Sequence, residues 1–267
     1  MAYWKDKVVV VTGGSAGLGC AIADAYGKAG AKVVIVGRNA EALHSAAAEM
    51  SRDGRHVVGI PADVTCQHQV DALFDQVITK YGRLDALVNN AGKSARGHIL
   101  ETTPETFQDL FNLNFLGLVR CTRAAVPHLL KNRGHIVNIG SLAARSAGRY
   151  VGAYPATKFA VAAYSQQLRL ELADHGLHVL LVCPGPIGRG DVTPRYGDLS
   201  NLPESARKPG AGVKVKSLDP AKLSEEILKA CERRKPDLVR PAKARLLFVL
   251  AQVSPRLGDW LVRKMTK

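Results

Sequence analysis

Four glycines within seven residues, set between an apolar run and a helical stretch, constrain this chain more than any other feature. Residues 7–12 form a short β-branched run that reads as a buried strand. The segment Thr12-Gly13-Gly14-Ser15-Ala16-Gly17-Leu18-Gly19 follows, and helical spacing begins near residue 17. Gly13 permits a tight turn, Gly17 lets the backbone approach a pyrophosphate, and Gly19 allows close packing of helix and strand. The helix then turns free N–H groups and the positive end of its dipole toward that anion. No Lys-Ser/Thr follows the glycines, which excludes the phosphate loop of nucleoside triphosphatases.

The rest of the chain repeats the unit. Apolar runs at 32–37, 56–60, 84–89, 135–139, 178–183 and 237–240 read as strands. Helical patterns at 40–52, 67–81, 104–130, 150–175 and 221–233 lie between them. Alternation of this kind predicts an α/β fold: one Rossmann-like, doubly wound domain with about seven parallel strands and helices on both faces. A chain of 267 residues suits one such domain. The expected division is a dinucleotide-binding and catalytic domain over 1–240, with a substrate lid at 188–218, and an amphipathic extension over 241–267. The lid reading rests on a long Gly/Pro-rich stretch beside the cofactor.

The second strand bears on cofactor choice. An NAD binder places an acid about 20 residues after the glycines, whereas this strand ends Val36-Gly37-Arg38-Asn39. Arg38 can clamp a 2′-phosphate with paired hydrogen bonds, and Ser15 can add another. NADP(H) is therefore expected over NAD(H).

Tyr154 and Lys158 are four residues apart on a predicted helix and share a face. Pro155 places them in its first turn. A tyrosine with a pKa near ~10 is a poor base at neutral pH. An ammonium about 4 Å away contributes roughly 4 kcal/mol at an effective dielectric of ~20, enough to bring the phenol close to neutrality. Tyr3 and Lys7 repeat the spacing, but they precede the first strand and read as a solvent-facing coincidence.

With these motifs in order the chain resembles the short-chain dehydrogenases/reductases over residues 6–190. The resemblance rests on Thr12 to Gly19, Asp63-Val64, Asn89-Asn90-Ala91-Gly92, Asn114 in N-x-x-G, Ser141, Tyr154-Pro155-Ala156-Thr157-Lys158 and Pro184-Gly185. It implies hydride transfer between nicotinamide and a carbonyl or alcohol, with Tyr154 exchanging the proton and Ser141 bonding the substrate oxygen. Lys158 would tune the tyrosine and hold the ribose, and Asn114 would support a water relay. Implied cofactor contacts are Gly13, Ser15, Gly17, Leu18, Gly19, Asp63 and Val64 at adenine, Asn90 at its ribose, Gly92, Pro184 and Ile187 at the carboxamide. The family often has Thr two positions after Ile187; here Gly188-Arg189 follows, and Thr193 stands at the wrong spacing to replace it.

Substrate and partners are less constrained. Arg145 and Arg149 lie beside the expected pocket, either to meet an anionic group or as surface cations. The C-terminal apolar run and the recurrence of Leu257, Trp260, Leu261 and Met265 resemble extensions of steroid, retinoid and lipid ketone reductases, which implies a bulky apolar substrate. A 3-oxoacyl thioester is the alternative substrate, and a non-catalytic NADP-binding regulator the alternative role. The family implies a homodimer or homotetramer. The net charge is +14, and residues 201–267 carry sixteen Lys/Arg against seven Asp/Glu. A solvated basic face or contact with an anionic membrane surface accounts for this; without a nucleic-acid motif, no nucleic-acid partner is expected. Five cysteines with no C-x-x-C, no H-E-x-x-H, no signal segment and no membrane span lead to expectations of a reduced, cytoplasmic protein, peripheral to a membrane at most, with no metal site.

Overall fold

The computed structural model describes residues 3–188, 199–207 and 216–265. Seven strands form one parallel sheet: β1 (Val8–Thr12), β2 (Lys32–Gly37), β3 (Val57–Pro61), β4 (Ala86–Asn89), β5 (His135–Ile139), β6 (His178–Pro184) and β7 (Asp237–Arg240). Their order is β3-β2-β1-β4-β5-β6-β7. The chain winds outward from β1 to β3, then returns beside β1 and winds the other way. That reversal leaves a crevice at the carboxyl ends of β1 and β4.

Alternate side chains of each strand feed two apolar layers, as the period-2 geometry of strands requires. Val9 and Val11 join a layer with Ile22 and Tyr26 of α1 (Gly17–Lys28), Leu43 of α2 (Ala40–Ser51) and Ile227 of α8 (Pro220–Glu232), which follows the single turn α7 (Glu204–Arg207). Val8 and Val10 join the opposite layer, with Phe74 of α3 (Gln67–Tyr81), Leu129 of α5 (Gly117–Lys131) and Leu172 of α6 (Tyr154–Leu172). Central strands β1, β4, β5 and β6 are buried along their whole length, which is why they read as continuous apolar runs.

The structure departs from the sequence expectations in four places. The helix expected over 104–130 is divided into α4 (Pro104–Phe111) and α5 by a π-helical turn at Asn112–Leu116. The widened turn accommodates Asn114, whose carboxamide is bound outside the helix, and Gly117, where a Cβ would sit 2.8 Å from Val64 Cγ2. The helix expected from residue 150 begins at Tyr154, because Tyr150 and Gly152 hold φ of 59° and 49°. Beyond β7 the chain forms a hairpin of α9 (Ala244–Val253) and α10 (Pro255–Met265), closed where Gly258 meets Ala251. Finally, Tyr3 and Lys7 are not mere surface residues. Lys7 Nζ lies 3.4 Å over the Tyr3 ring, and the Tyr3 hydroxyl bonds buried His135 at 2.7 Å. Among the described residues, no helix is long and apolar enough to cross a membrane.

Candidate active site

A cleft of about 520 Å³ opens at the carboxyl edge of the sheet. Its floor is the glycine loop. Gly13 holds φ of 64° so that the N–H groups of Gly13 and Gly14 both reach the Val36 carbonyl, at 2.7 and 3.2 Å. Gly17 is also left-handed, at 54°, and a Cβ there would meet nothing within 4 Å. Gly19 is needed for a different reason: its Cβ would stand 2.1 Å from the Gly13 carbonyl oxygen and 2.5 Å from the Asn90 side chain. The close approach that Gly19 allows is therefore to its own loop. The N-cap of α1 is Ala16, which offers no side-chain cap, so among the described residues no side-chain acceptor caps the first N–H groups of the helix.

Thr12 and Asn90 stitch the two central strand ends together. Thr12 Oγ1 accepts from the Asn90 and Ala91 N–H groups at 3.0 Å each, and Asn90 Nδ2 donates to the Thr12 and Gly13 carbonyls at 3.0 and 3.1 Å. Thr12 was visible only as the first letter of a motif, yet it fixes both loops.

Above the loop, the first turn of α6 brings Tyr154 and Lys158 to the cleft, with Ser141 opposite at the end of β5. Lys158 is buried, with Nζ 5.8 Å from the Tyr154 ring centroid and donating to the Ile139 carbonyl at 2.8 Å. Burial pushes its pKa down to about 8, a shift slightly opposed by nearby Cys183. Ser141 Oγ accepts from the Ala143 N–H at 3.1 Å, which leaves the hydroxyl hydrogen available to donate.

Of the residues singled out from sequence, Gly13, Ser15, Gly17, Leu18, Gly19, Asn90, Gly92, Ser141, Tyr154, Lys158, Pro184 and Ile187 line the cleft. Asn114 lies behind its wall. Its Oδ1 accepts from the Lys93 N–H at 2.9 Å, and its Nδ2 donates to the Lys93 carbonyl and to Thr157 Oγ1. Its side chain thus braces the loop after β4 against α6. Arg38, Asp63 and Val64 are not part of the lining. Arg38 is exposed at the end of β2 and Val64 is buried against Gly117. Burial raises the Asp63 pKa, but hydrogen bonds from the Thr65 N–H and hydroxyl, with Arg38 and Arg120 nearby, outweigh it and hold the carboxyl below its ordinary value.

Sequence reasoning missed Ser94, Arg96, Leu142, Ser146 and Val151, all of which line the same cleft. The position of Ser94 and Arg96 just after the Asn-Asn-Ala-Gly turn was the available signal. Arg149 instead lines a neighbouring cavity of about 580 Å³, stacked on Tyr150, and Arg145 is exposed outside the cleft lining. Arg189 and Thr193 of the expected lid lie outside the described residues. Where its two ends are described, Ile187 forms a β-bridge with Leu218, with Gly188 N–H to Leu218 O and Leu218 N–H to Pro186 O both at 2.8 Å.

The family model for short chain dehydrogenases matches residues 7–196. Over 215 residues, 79% of this chain and 72% of the relative, the sequence is 38% identical to an L-fucose dehydrogenase of Oryctolagus cuniculus. Among solved structures, a short chain dehydrogenase/reductase from Burkholderia phymatum in complex with NAD has a TM-score of 0.84 at 24% identity, covering 96% of each chain. An L-sorbose reductase from Gluconobacter frateurii, complexed with NADPH and L-sorbose, has a TM-score of 0.76 at 28% identity, covering 88% of this chain and 95% of that one. The glycine loop, the strand order and the extent of these matches lead to one assignment: the chain belongs to the short-chain dehydrogenase/reductase family of oxidoreductases.

Proposed function

We propose that the protein is an NADP(H)-dependent oxidoreductase that interconverts a carbonyl and an alcohol, with Tyr154 as the acid/base. The observation that carries this reading is the convergence of Tyr154, Lys158 and Ser141 on the same cleft as the uncapped N-terminus of α1. The cradle fits a dinucleotide: left-handed Gly17 faces open space where a phosphate would approach, and the α1 N–H groups have no side-chain acceptor. Nicotinamide, when bound, supplies or accepts the hydride. Ser141 donates a hydrogen bond to the substrate oxygen and steadies charge developing there. In the reducing direction Tyr154 gives its phenolic proton to that oxygen; in the oxidising direction it takes the proton back. Lys158, still mostly charged at neutral pH, favours the phenolate and holds the ribose. Asn114 keeps the Lys93 loop and α6 in register behind this set and supports the water relay to Lys158.

Preference for NADP(H) rests on Arg38 at the end of β2 and on the missing acid there. Asp63, whose pKa is lowered in part by Arg38, sets the adenine end together with Val64. Parallel assays with NADPH and NADH over a carbonyl panel test the whole reading. Turnover with NADPH is expected to dominate, and Arg38→Asp to invert the preference. NADPH binding with no carbonyl turned over would instead favour a regulator.

The substrate reading is a bulky apolar carbonyl, supported by Leu142, Val151 and Ile187 in the lining. A second reading, a sugar, is favoured by Ser94, Arg96 and Ser146 in the same lining and by the L-fucose and L-sorbose enzymes among its relatives. Turnover of ketoses against aryl or steroid ketones separates them, and a 3-oxoacyl thioester belongs in the same panel. Five free thiols suit a reducing, cytoplasmic setting. The chain assembles as a homodimer or homotetramer, and the exposed Leu246, Val249, Val253, Leu257 and Trp260 of α9 and α10 are covered by protein. Sedimentation of the full chain with anionic liposomes, lost in a 1–240 truncation, would move that face to a membrane.

A further inference from the structure

We propose that the opposite, amino edge of the sheet binds one soft d10 metal ion, Cu(I), through His135, His178 and Cys231. These residues lie away from the cleft, and nothing in the oxidoreductase reading uses them. His135 opens β5 and His178 opens β6, directly paired in the ladder. Cys231 comes from the last turn of α8. One ligand atom from each lies within 4.8 Å of the others, and all three residues are buried.

The arrangement is built as metal sites are built. The two Nδ1 atoms face one another at 2.9 Å, and each far nitrogen is anchored: His135 Nε2 by the Tyr3 hydroxyl at 2.7 Å, His178 Nε2 by the Lys235 carbonyl at 2.8 Å. Such outer partners fix tautomer and ring orientation in ligating histidines. Because a carbonyl only accepts, His178 carries its hydrogen on Nε2 and its Nδ1 is bare. His135 then donates from Nδ1 and accepts from Tyr3 through Nε2. A single proton thus occupies the place between two imidazoles where an ion would sit.

Exchange of that proton for an ion balances. The His135 hydrogen moves from Nδ1 to Nε2 and is donated to the Tyr3 oxygen, whose own hydrogen turns to solvent, since Tyr3 is 40% exposed. Cys231 releases its thiol proton to buffer, and the Tyr26 hydroxyl, 3.7 Å away, already points its hydrogen at the sulfur. The imidazoles part by roughly half an ångström to reach metal–nitrogen distances of about 2.0 Å. No group loses a partner.

Charge selects the ion. Cu(I) with one thiolate and two neutral imidazoles is uncharged and satisfied by three ligands, and thiolate favours it. Zn²⁺ in the same place would leave a buried positive charge and an empty fourth position. The facing charges are Arg234 and Lys7 on one side and Glu232 and Asp85 on the other, and Asp85 is already bound to Arg83 and the Val8 N–H. Tyr3, partly exposed over His135, is the way in.

Anaerobic titration of the full chain with Cu(I) held by a chromophoric chelator tests the site. One equivalent per chain is expected, with a thiolate-to-copper band in the ultraviolet and a raised melting temperature. In Trp260→Phe the remaining indole, Trp4, whose ring lies 5.2 Å from that of His135, should be quenched at the same equivalence point. Cys231→Ser and His178→Gln should each weaken uptake by at least about 100-fold, more than the 10- to 100-fold that outer-partner changes cost. The double variant Cys20→Ser/Cys66→Ser, which removes the half-buried thiols, should retain it. Failure of the unmodified chain to take one equivalent from the chelator, uptake unchanged by Cys231→Ser, or preference for Zn²⁺ over Cu(I) would each overturn the assignment.

Discussion

At the carboxyl edge of the sheet, α1 begins without a side-chain cap, Gly17 faces open space and Lys158 is buried with no carboxylate partner among the described residues. At the amino edge of the same sheet, polar atoms are spent on one another: Tyr3 on His135, His135 on His178, His178 on Lys235, and Arg83 with the Val8 N–H on Asp85. One edge holds unspent donors and stored desolvation cost, the marks of a site arranged for something that arrives. The other edge offers no open cradle: its polar groups fasten the N-terminal segment and α8 to the strands, and an ion would enter only by displacing the proton held between His135 and His178. Parallel strands make this division natural, since all their carboxyl ends, and the loops that vary most, lie on one side.

The contrast can be broken in stages. Tyr154→Phe should lower kcat by about 10³-fold, equivalent to about 4 kcal/mol at the barrier, with dinucleotide affinity nearly unchanged by fluorescence titration. Retained turnover would remove the acid/base from the carboxyl edge. Gly19→Ala should cost about 3 kcal/mol or more in urea denaturation, because the new Cβ meets a carbonyl oxygen at 2.1 Å. Gly17→Ala, with space but a left-handed backbone, should cost only about 1 kcal/mol while weakening dinucleotide binding.

Smaller effects sharpen the comparison. Lys158 has a folded pKa of about 8, below its ordinary 10.5, so the fold disfavours the charged form. That penalty is full below pH 8 and fades as pH rises from about 8 toward 10.5. Lys158→Met should therefore abolish activity yet stabilise the dinucleotide-free protein at pH 7. The net gain is about 1 kcal/mol after the Ile139 carbonyl loses its donor, and it shrinks in alkaline buffer. Tyr3→Phe should cost roughly 0.5–1 kcal/mol and leave kcat alone. A changed kcat would show that the two edges communicate.

The alternation of apolar runs and helices made the sheet legible in the sequence, because burial on both faces leaves continuous valine-rich strands such as Val8–Thr12. The glycine loop and the Tyr154/Lys158 pair were legible because backbone sign and helical spacing are local. The π turn at Asn112–Leu116 was not: it follows from what Asn114 binds across space, at Lys93 and Thr157. Ser94, Arg96 and Ser146 were missed for the same reason, since lining a cleft is a property of the assembled fold. Tyr3 and Lys7 show the converse error. Their spacing was rightly set aside as catalytic, but the Tyr3 hydroxyl finds its partner on β5, more than a hundred residues away, and Lys7 packs on the Tyr3 ring.

The bridge between Ile187 and Leu218 fixes where a change in chain length costs the scaffold least. The chain leaves β6 and, on returning, pairs with its own point of exit at one clasp beside the cleft, so the two ends of the intervening stretch are held together. Closure entropy grows slowly, by about 0.6 kcal/mol for each doubling of length. Lengthening that stretch is therefore cheap for the scaffold, and the cleft residues after β4 and on β5 and α6 are untouched by it.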